Sequence, residues 1–374
     1  MGSVWGVLDG QIVAGRMPGY ATAVRVGERV AVRAAGRVAL GPGSPRMAED
    51  TLFRIASISK PMAGALTLSL VADGVLALDD PVERWLPEAA CPRVLAGRDA
   101  PLDRTTAAVR PVTVRHLLAG TSGWGVTAHD SPLRREMSAR GVHPGPVPPG
   151  LTPDEFAARL TGVPLAFQPG EGWAYDSGID LLGVVLARAA GKPLPDLLAG
   201  RITGPLGMAD TAFWAAEPAR LATSYFPTPD GLALLDPPDG AFAAPPSFAK
   251  LSGGLVSTVH DVLRFYTAMA DGGAPVLSPA QVAELTTDAL TDAQRRDAEP
   301  FVGPGASWAL GTGVDLTGAL PWMAPGRWGW TGGTGTTAYV DPARDTVSVL
   351  LTQRAMTGPR DGFDEFWTAV ANAA

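Results

Sequence analysis

The chain has 374 residues, 46% of them hydrophobic, and a formal net charge of −7. That length holds one large domain or two average ones, and the apolar content is ample for a sizeable core. The acidic balance contains no block of like charge, which excludes a nucleic-acid surface and a basic membrane patch.

The opening MGSVWGVLDGQIVAGR lacks the basic start and long apolar core of a signal peptide, and no run of eighteen apolar residues follows it. The expectation is a cytoplasmic protein that does not enter a membrane. Next, Tyr20 to Leu40 alternates small or apolar with polar residues and breaks at Gly27-Glu28, which predicts a β-hairpin. From Ala56 to Asp73 the apolar residues recur at helical spacing and stop at Gly74, a C-terminal cap. Pro61 would break a helix interior but is tolerated in the first turn, so Ser57 belongs at the helix start with Lys60 three residues on, on the same face.

Further helices are predicted at Pro81 to Leu86, Val112 to Leu118, Pro153 to Leu160 and Ile179 to Ala190, the last closed by Gly191. Two stretches rich in Pro and Gly, Gly125 to Gly150 and Phe226 to Lys250, read as long loops of the kind that wall a site. Gly335 to Gln353 reads as two strands about a turn at Asp341 to Asp345, and Asp364 to Ala373 as a closing helix. The outline is α+β: an antiparallel sheet assembled from both chain ends, with a mainly helical insertion beside it. Residues 1–56 with 251–374 would form the sheet lobe and 57–250 the helical lobe of one domain.

One cysteine, Cys91, leaves no internal disulfide framework, and the histidines at 116, 129, 143 and 260 show no zinc spacing. Neither metal nor cofactor is implied. The basic residues are more telling, because 27 of the 30 are Arg and only three are Lys, at 60, 192 and 250. Arg stays protonated in proteins whereas a buried Lys can shed its proton, so Lys60 reads as a buried amine chosen for that property. A Ser hydroxyl is a poor nucleophile until something takes its proton, and Lys60 is within reach of Ser57 to do so. A four-residue SxxK match alone is common by chance.

Two other segments add to it. FQPGEGWAYDSGIDLLG (Phe167 to Gly183) places Tyr175 after a Pro-Gly turn and just before a helix. RWGWTGGTGTTAYVDP (Arg327 to Pro342) is a Gly-rich approach to a strand, where backbone N–H groups stay accessible. They supply a second proton handler and an oxyanion-binding edge. Other candidates fail: GTSGWG around Ser122 has Trp124 where a GxSxG elbow needs Gly, His116 reads as structural, and Gly332 to Gly335 lacks the GK[ST] of a phosphate loop. Trp322, Trp328 and Trp330 suit either packing or an apolar acyl pocket.

With these motifs the chain resembles the serine β-lactamase and penicillin-recognising family, in the class C-like branch that includes family VIII carboxylesterases. EDTLFRIASISKP, LALDDPVERWLP, VTVRHLLAGTSGW, GPLGMADTAFW, KLSGGLVSTVHDVLRF and WTGGTGTTAYVDP follow the family's order. The resemblance implies Ser57 as acylated nucleophile, Lys60 as its proton partner and Tyr175 as general base and then acid. It also implies an oxyanion hole from the N–H groups of Ser57 and Gly333, with Trp124, Ser177, Trp330, Thr331 and Gly332 lining the substrate. Two departures matter: Ser177 stands where β-lactamases of this class carry Asn, and Trp330 stands where a cation normally meets a substrate carboxylate. Arg354 is a candidate for that charge, and Asp176 has no family counterpart.

The expected function is a serine hydrolase of small carboxylic esters, with weak β-lactam hydrolysis. An acyltransferase using an alcohol or amine acceptor is the second reading. A β-lactamase or D-Ala-D-Ala carboxypeptidase is the third, and a catalytically silent binding module the fourth. The partner is a small ester or amide; the sequence does not speak to oligomeric state.

Overall fold

The alternation from Tyr20 to Leu40 forms the predicted hairpin, β1 (Gly19–Val26) against β2 (Arg29–Gly36), with Val26 opposite Arg29 and Gly27 in the left-handed region at φ 56°. In the computed structural model, which describes residues 1–127, 130–359 and 361–374, these strands join five others from the far end of the chain. The others are β3 (Ala306–Trp308), β4 (Gly313–Asp315), β5 (Trp328–Gly332), β6 (Thr336–Asp341) and β7 (Thr346–Thr352). The order is β2-β1-β7-β6-β5-β4-β3, every neighbouring pair antiparallel.

Both faces of the sheet are covered, as the period-2 burial requires. Tyr20, Val24 and Leu350 point to one side, where Val4 and Leu8 of α1 (Gly2–Val13) and Phe366 and Val370 of α5 (Asp364–Ala371) close over them. Ala21, Ala23, Val349 and Leu351 face the main core, which α4 (Val259–Ala270) joins by packing across β7, β6 and β1. The helical part contributes α2 (Lys60–Ala72) and α3 (Ser177–Ala190), whose buried sides meet in the same core.

The predicted helix at Ala56 begins as a 3-10 turn over Ala56–Ser59 and becomes regular at Lys60, with Pro61 in its first turn and Gly74 at φ 67° beyond its end. α3 closes on Gly191 at φ 61°. Elsewhere the chain departs from expectation. Pro81 to Leu86 holds only a 3-10 turn, Val82–Arg84, and Val112 to Leu118 a five-residue helix, Val114–Leu118. The Gly125 to Gly150 stretch contains the helix Pro132–Ala139, capped by Ser131, while Ala128 and His129 lie outside the described residues. The Phe226 to Lys250 stretch starts within a hairpin, Ser224–Thr228 with Gly231–Asp236. In both, local capping and turn chemistry outweighed the Pro and Gly content. No described helix is long and apolar enough to cross a membrane.

The fold's main service to function is to press the Arg54–Ser57 segment onto the end of β5. Thr336 Oγ1 donates to the Ile55 carbonyl at 2.7 Å, and Thr334 Oγ1 donates to that of Arg54. Gly332 makes the approach feasible, because a Cβ there would lie 2.5 Å from the Ile55 carbonyl oxygen and 2.1 Å from Thr336 Oγ1. Gly332→Ala should therefore cost about 1–3 kcal/mol, the usual range for overpacking. Thermal melts and ester turnover on the same preparation check this, with both expected to fall.

Candidate active site

Ser57 sits in the first turn of the 3-10 segment, half-buried, on the heels of Ala56, which is forced to φ 47°. Such left-handed geometry at a non-Gly residue stores strain and is typical of functional turns. Gly253 allows the packing behind it, since a Cβ there would be 3.3 Å from the Ala56 carbonyl carbon. Three residues on, Lys60 is fully buried, and its Nζ lies 2.7 Å from Ser57 Oγ.

Sequence reasoning expected a bare amine here, and the structure adds an anion that it did not foresee. Lys60 Nζ also contacts the Ser252 carbonyl at 2.6 Å and the Asp176 carboxylate. Three oxygen atoms thus surround the one nitrogen. Asp176, buried at the entry to α3 with φ 77°, is shared with Lys250, whose Nζ stands 3.4 Å from the other carboxylate oxygen. Burial alone would raise the Asp176 carboxyl, but the charges of Lys250 and Lys60 and the Lys60 hydrogen bond bring it down to about 2. Asp180, one helical turn further, accepts from the Ser252 N–H at 2.8 Å, and burial pushes its carboxyl up to about 6 against the pull of Lys250.

Tyr175 stands beside this cluster with Lys60 Nζ 4.6 Å from its ring centroid. Its hydroxyl oxygen accepts a 2.6 Å hydrogen bond from Trp330 Nε1. Among the described residues it has no hydrogen bond to Ser57 or Lys60, and catalytic contacts often tighten only when substrate binds. Phe301 stacks on Tyr175 at 5.3 Å, and Trp173, Trp308 and Trp330 lie within 6 Å of it by ring centroids. The phenol is thereby fixed in an aromatic box.

The remaining predicted residues divide. Gly333 is exposed at the end of β5, and its N–H has no hydrogen-bond acceptor among the described residues. The N–H groups at the start of the Ser57 turn likewise lack intrahelical partners. Thr331 and Trp330 lie on β5 and border a cavity of about 90 Å³ with Phe301, Trp322 and Met323. Trp328 instead stacks on Tyr266 of α4 and belongs to the core. Trp124 also leaves the predicted set: it is buried in the core with its indole N–H spent on the Val163 carbonyl. Ser177 is buried as well, and its Oγ has no hydrogen-bond partner among the described residues. Arg354 does not replace the missing cation, because Asp361 pairs with it at 3.0 Å in a cavity walled by α1 and α5. Ser122 Oγ and His116 serve local turns, the latter in a capping box with Thr113.

Sequence reasoning missed Lys250. The scarcity argument that singled out Lys60 applies equally to it, since two of the three lysines converge on Asp176 while Lys192 is exposed. Among the described residues no cluster of His, Cys, Asp and Glu could hold a metal ion.

The family model Beta-lactamase matches residues 7–373, and the chain belongs to that family. Protein Rv1367c of Mycobacterium tuberculosis (strain ATCC 25618 / H37Rv) is 38% identical over 359 residues, which cover 91% of this chain and 86% of that protein. Esterase EstB of Burkholderia gladioli is 35% identical over 361 residues, covering 91% and 87%. Among solved structures, EstCE1, described as a hydrolase with promiscuous acyltransferase activity, matches with a TM-score of 0.84 at 26% identity and covers 99% of this chain and 97% of that one.

Two outcomes follow from the site's polar contacts. Trp330→Phe keeps the aromatic box but removes the N–H donor to Tyr175, and should lower kcat by about tenfold, the worth of one hydrogen bond to a group gaining charge. In the wall of the same cavity, burial pushes the Asp315 carboxyl up to about 6 from 3.8 despite its ion pair with Arg327. The folded protein then binds more protons than the unfolded chain between those values, so this group's stabilisation is lost as pH rises through that window. Asp315→Asn should flatten that part of the stability curve, read from urea midpoints at pH 4.5 and 6.5 (about two units apart).

Proposed function

We propose that the chain is a serine hydrolase that cleaves small carboxylic esters through an acyl-Ser57 intermediate. The observation that carries this reading is the 2.7 Å contact between Lys60 Nζ and a half-buried Ser57 Oγ, set beside the free N–H edge at Gly333. Ser57 Oγ attacks the ester carbonyl, and its proton passes to the Lys60–Tyr175 pair and then to the departing alkoxide. The N–H groups of Ser57 and Gly333 receive the charge on the carbonyl oxygen. Water repeats the sequence on the acyl-enzyme. No cofactor is required for this chemistry.

The identity of residue 330 favours esters over penicillins and peptidoglycan stems. A cation at that place would meet a substrate carboxylate, whereas Trp330 offers an apolar face and spends its one donor on Tyr175. The esterase activity named for EstB, at 35% identity across most of both chains, supports the same choice. Weak β-lactam hydrolysis fits the acyl-enzyme but not the pocket charge. The name of EstCE1 supports a second reading, transfer of the acyl group to an alcohol or amine acceptor in competition with water.

The test is intact-mass measurement after a fluorophosphonate, together with turnover of p-nitrophenyl acetate and butyrate. One adduct on the wild type, none on Ser57→Ala, and loss of turnover in that variant are expected. Tyr175→Phe should cost on the order of 10²-fold in kcat, the usual size of general acid–base help. An unlabelled Ser57 with no ester turnover would sink the proposal.

A further inference from the structure

We propose that Asp176 and Lys250 form a positioning couple that holds Lys60 as an ammonium aimed at Ser57, an assignment that rests on the acyl-Ser57 reading. The geometry carries it. Lys60 Nζ has three acceptors, Ser57 Oγ, the Ser252 carbonyl and the Asp176 carboxylate, and among the described residues no donor other than the Ser57 hydroxyl reaches it. Among these residues Asp176 is therefore the one anion in contact with the nucleophile's partner.

Its own placement depends on Lys250. Both side chains are almost wholly inaccessible, at 4% and 9% exposure, so neither ion has water to fall back on. A buried carboxylate facing one ammonium leaves its second oxygen unsatisfied, and Lys250 meets that oxygen. The short segment Lys250–Ser252 thus supplies a cation to Asp176, a carbonyl to Lys60 and an N–H to Asp180. The charged or titratable groups facing Asp176 are Lys60 from α2, Lys250 from this segment, Asp180 from α3, the adjoining Tyr175, and His143 beyond the helix Pro132–Ala139. Two cations and two carboxylates balance only as a set.

The couple assigns a division of labour in the proton transfer. With Lys60 engaged by its three acceptors, the Ser57 proton passes to the Tyr175 oxygen as the phenol's own proton passes to the departing alkoxide, while Oγ bonds to the carbonyl carbon and the bond from that carbon to the alkoxide breaks. Lys60 contributes a fixed positive charge to both the nucleophile and the ring beside it.

The test uses the full chain and follows Ser57 phosphonylation by a fluorophosphonate across pH, by intact mass, with kcat and KM for p-nitrophenyl butyrate in parallel. Asp176→Asn removes the counterion while keeping the shape, so the alkaline limb of the labelling rate should move down by about one to three pH units, and kcat should fall with KM nearly unchanged. Lys250→Met should move the acidic limb up, because Asp176 loses one of the two positive charges that keep it ionised. The double variant should be more stable than Asp176→Asn alone, since it no longer buries an unpaired Lys250. That non-additivity keeps the proposal open to test if Asp176→Asn folds poorly. Unchanged limbs in both single variants, or additive stabilities, would overturn the couple while leaving the esterase reading intact. Failure of the wild type to be labelled would overturn both.

Discussion

A lysine nitrogen with no access to water must find every partner inside the protein, and the arrangement around Lys60 follows from that requirement. Removing an ammonium from water costs several kcal/mol unless its hydrogen bonds and countercharge are replaced. The replacements come from places far apart in the chain: Ser57 from the same helical turn, Asp176 from the start of α3, and Ser252 from the segment that leads into α4. Three separate excursions of the chain must close on one nitrogen. The main core, which joins α2, α3 and α4, is what brings them there.

The sheet answers a different demand, that of presenting backbone N–H groups at a fixed place. Antiparallel pairing of β5 with β6 sets the height of Gly333, and the hydroxyls of Thr334 and Thr336 tie the Arg54–Ile55 carbonyls to the same edge. Catalytic electrostatics of this kind work because the dipoles are already oriented before the reaction begins. Glycines at 332 and 253 are then a condition of the site, since bulk at either would press on the nucleophile turn.

Much of this could be read from residues alone, for physical reasons that are specific. The β1–β2 hairpin, α2, α3 and the β6–β7 pair follow from periodicity and from glycines where φ must be positive, which are local properties. The Ser57–Lys60 pair was legible because i and i+3 share a helix face. Long-range contacts were not: nothing near Trp124 reveals that its indole serves the Val163 carbonyl, and nothing near Arg354 reveals Asp361 as its partner across the α5 approach. The helix Gly2–Val13 escaped because its buried side is narrow, Val4 and Leu8 only, and acquires meaning once Phe366 and Val370 are opposite.

The neutral-amine expectation for Lys60 left out a partner that the structure supplies. Burial and scarcity of lysine were both read correctly, but burial favours the neutral form only where no countercharge is buried with it. Asp176, adjacent to Tyr175 in sequence and without an obvious role, is that countercharge, buried at a residue whose φ is 77°. Tyr175 beside it lies in the ring of Trp173, Phe301, Trp308 and Trp330. Two neighbouring residues thus serve two environments, one ionic and one aromatic, that meet at Lys60 Nζ. Trp330 then has a place in the logic of the site: a cation at that position would add a third positive charge beside Lys60 and Lys250, whereas an indole lends a hydrogen bond to Tyr175 without disturbing the balance that Asp176 maintains.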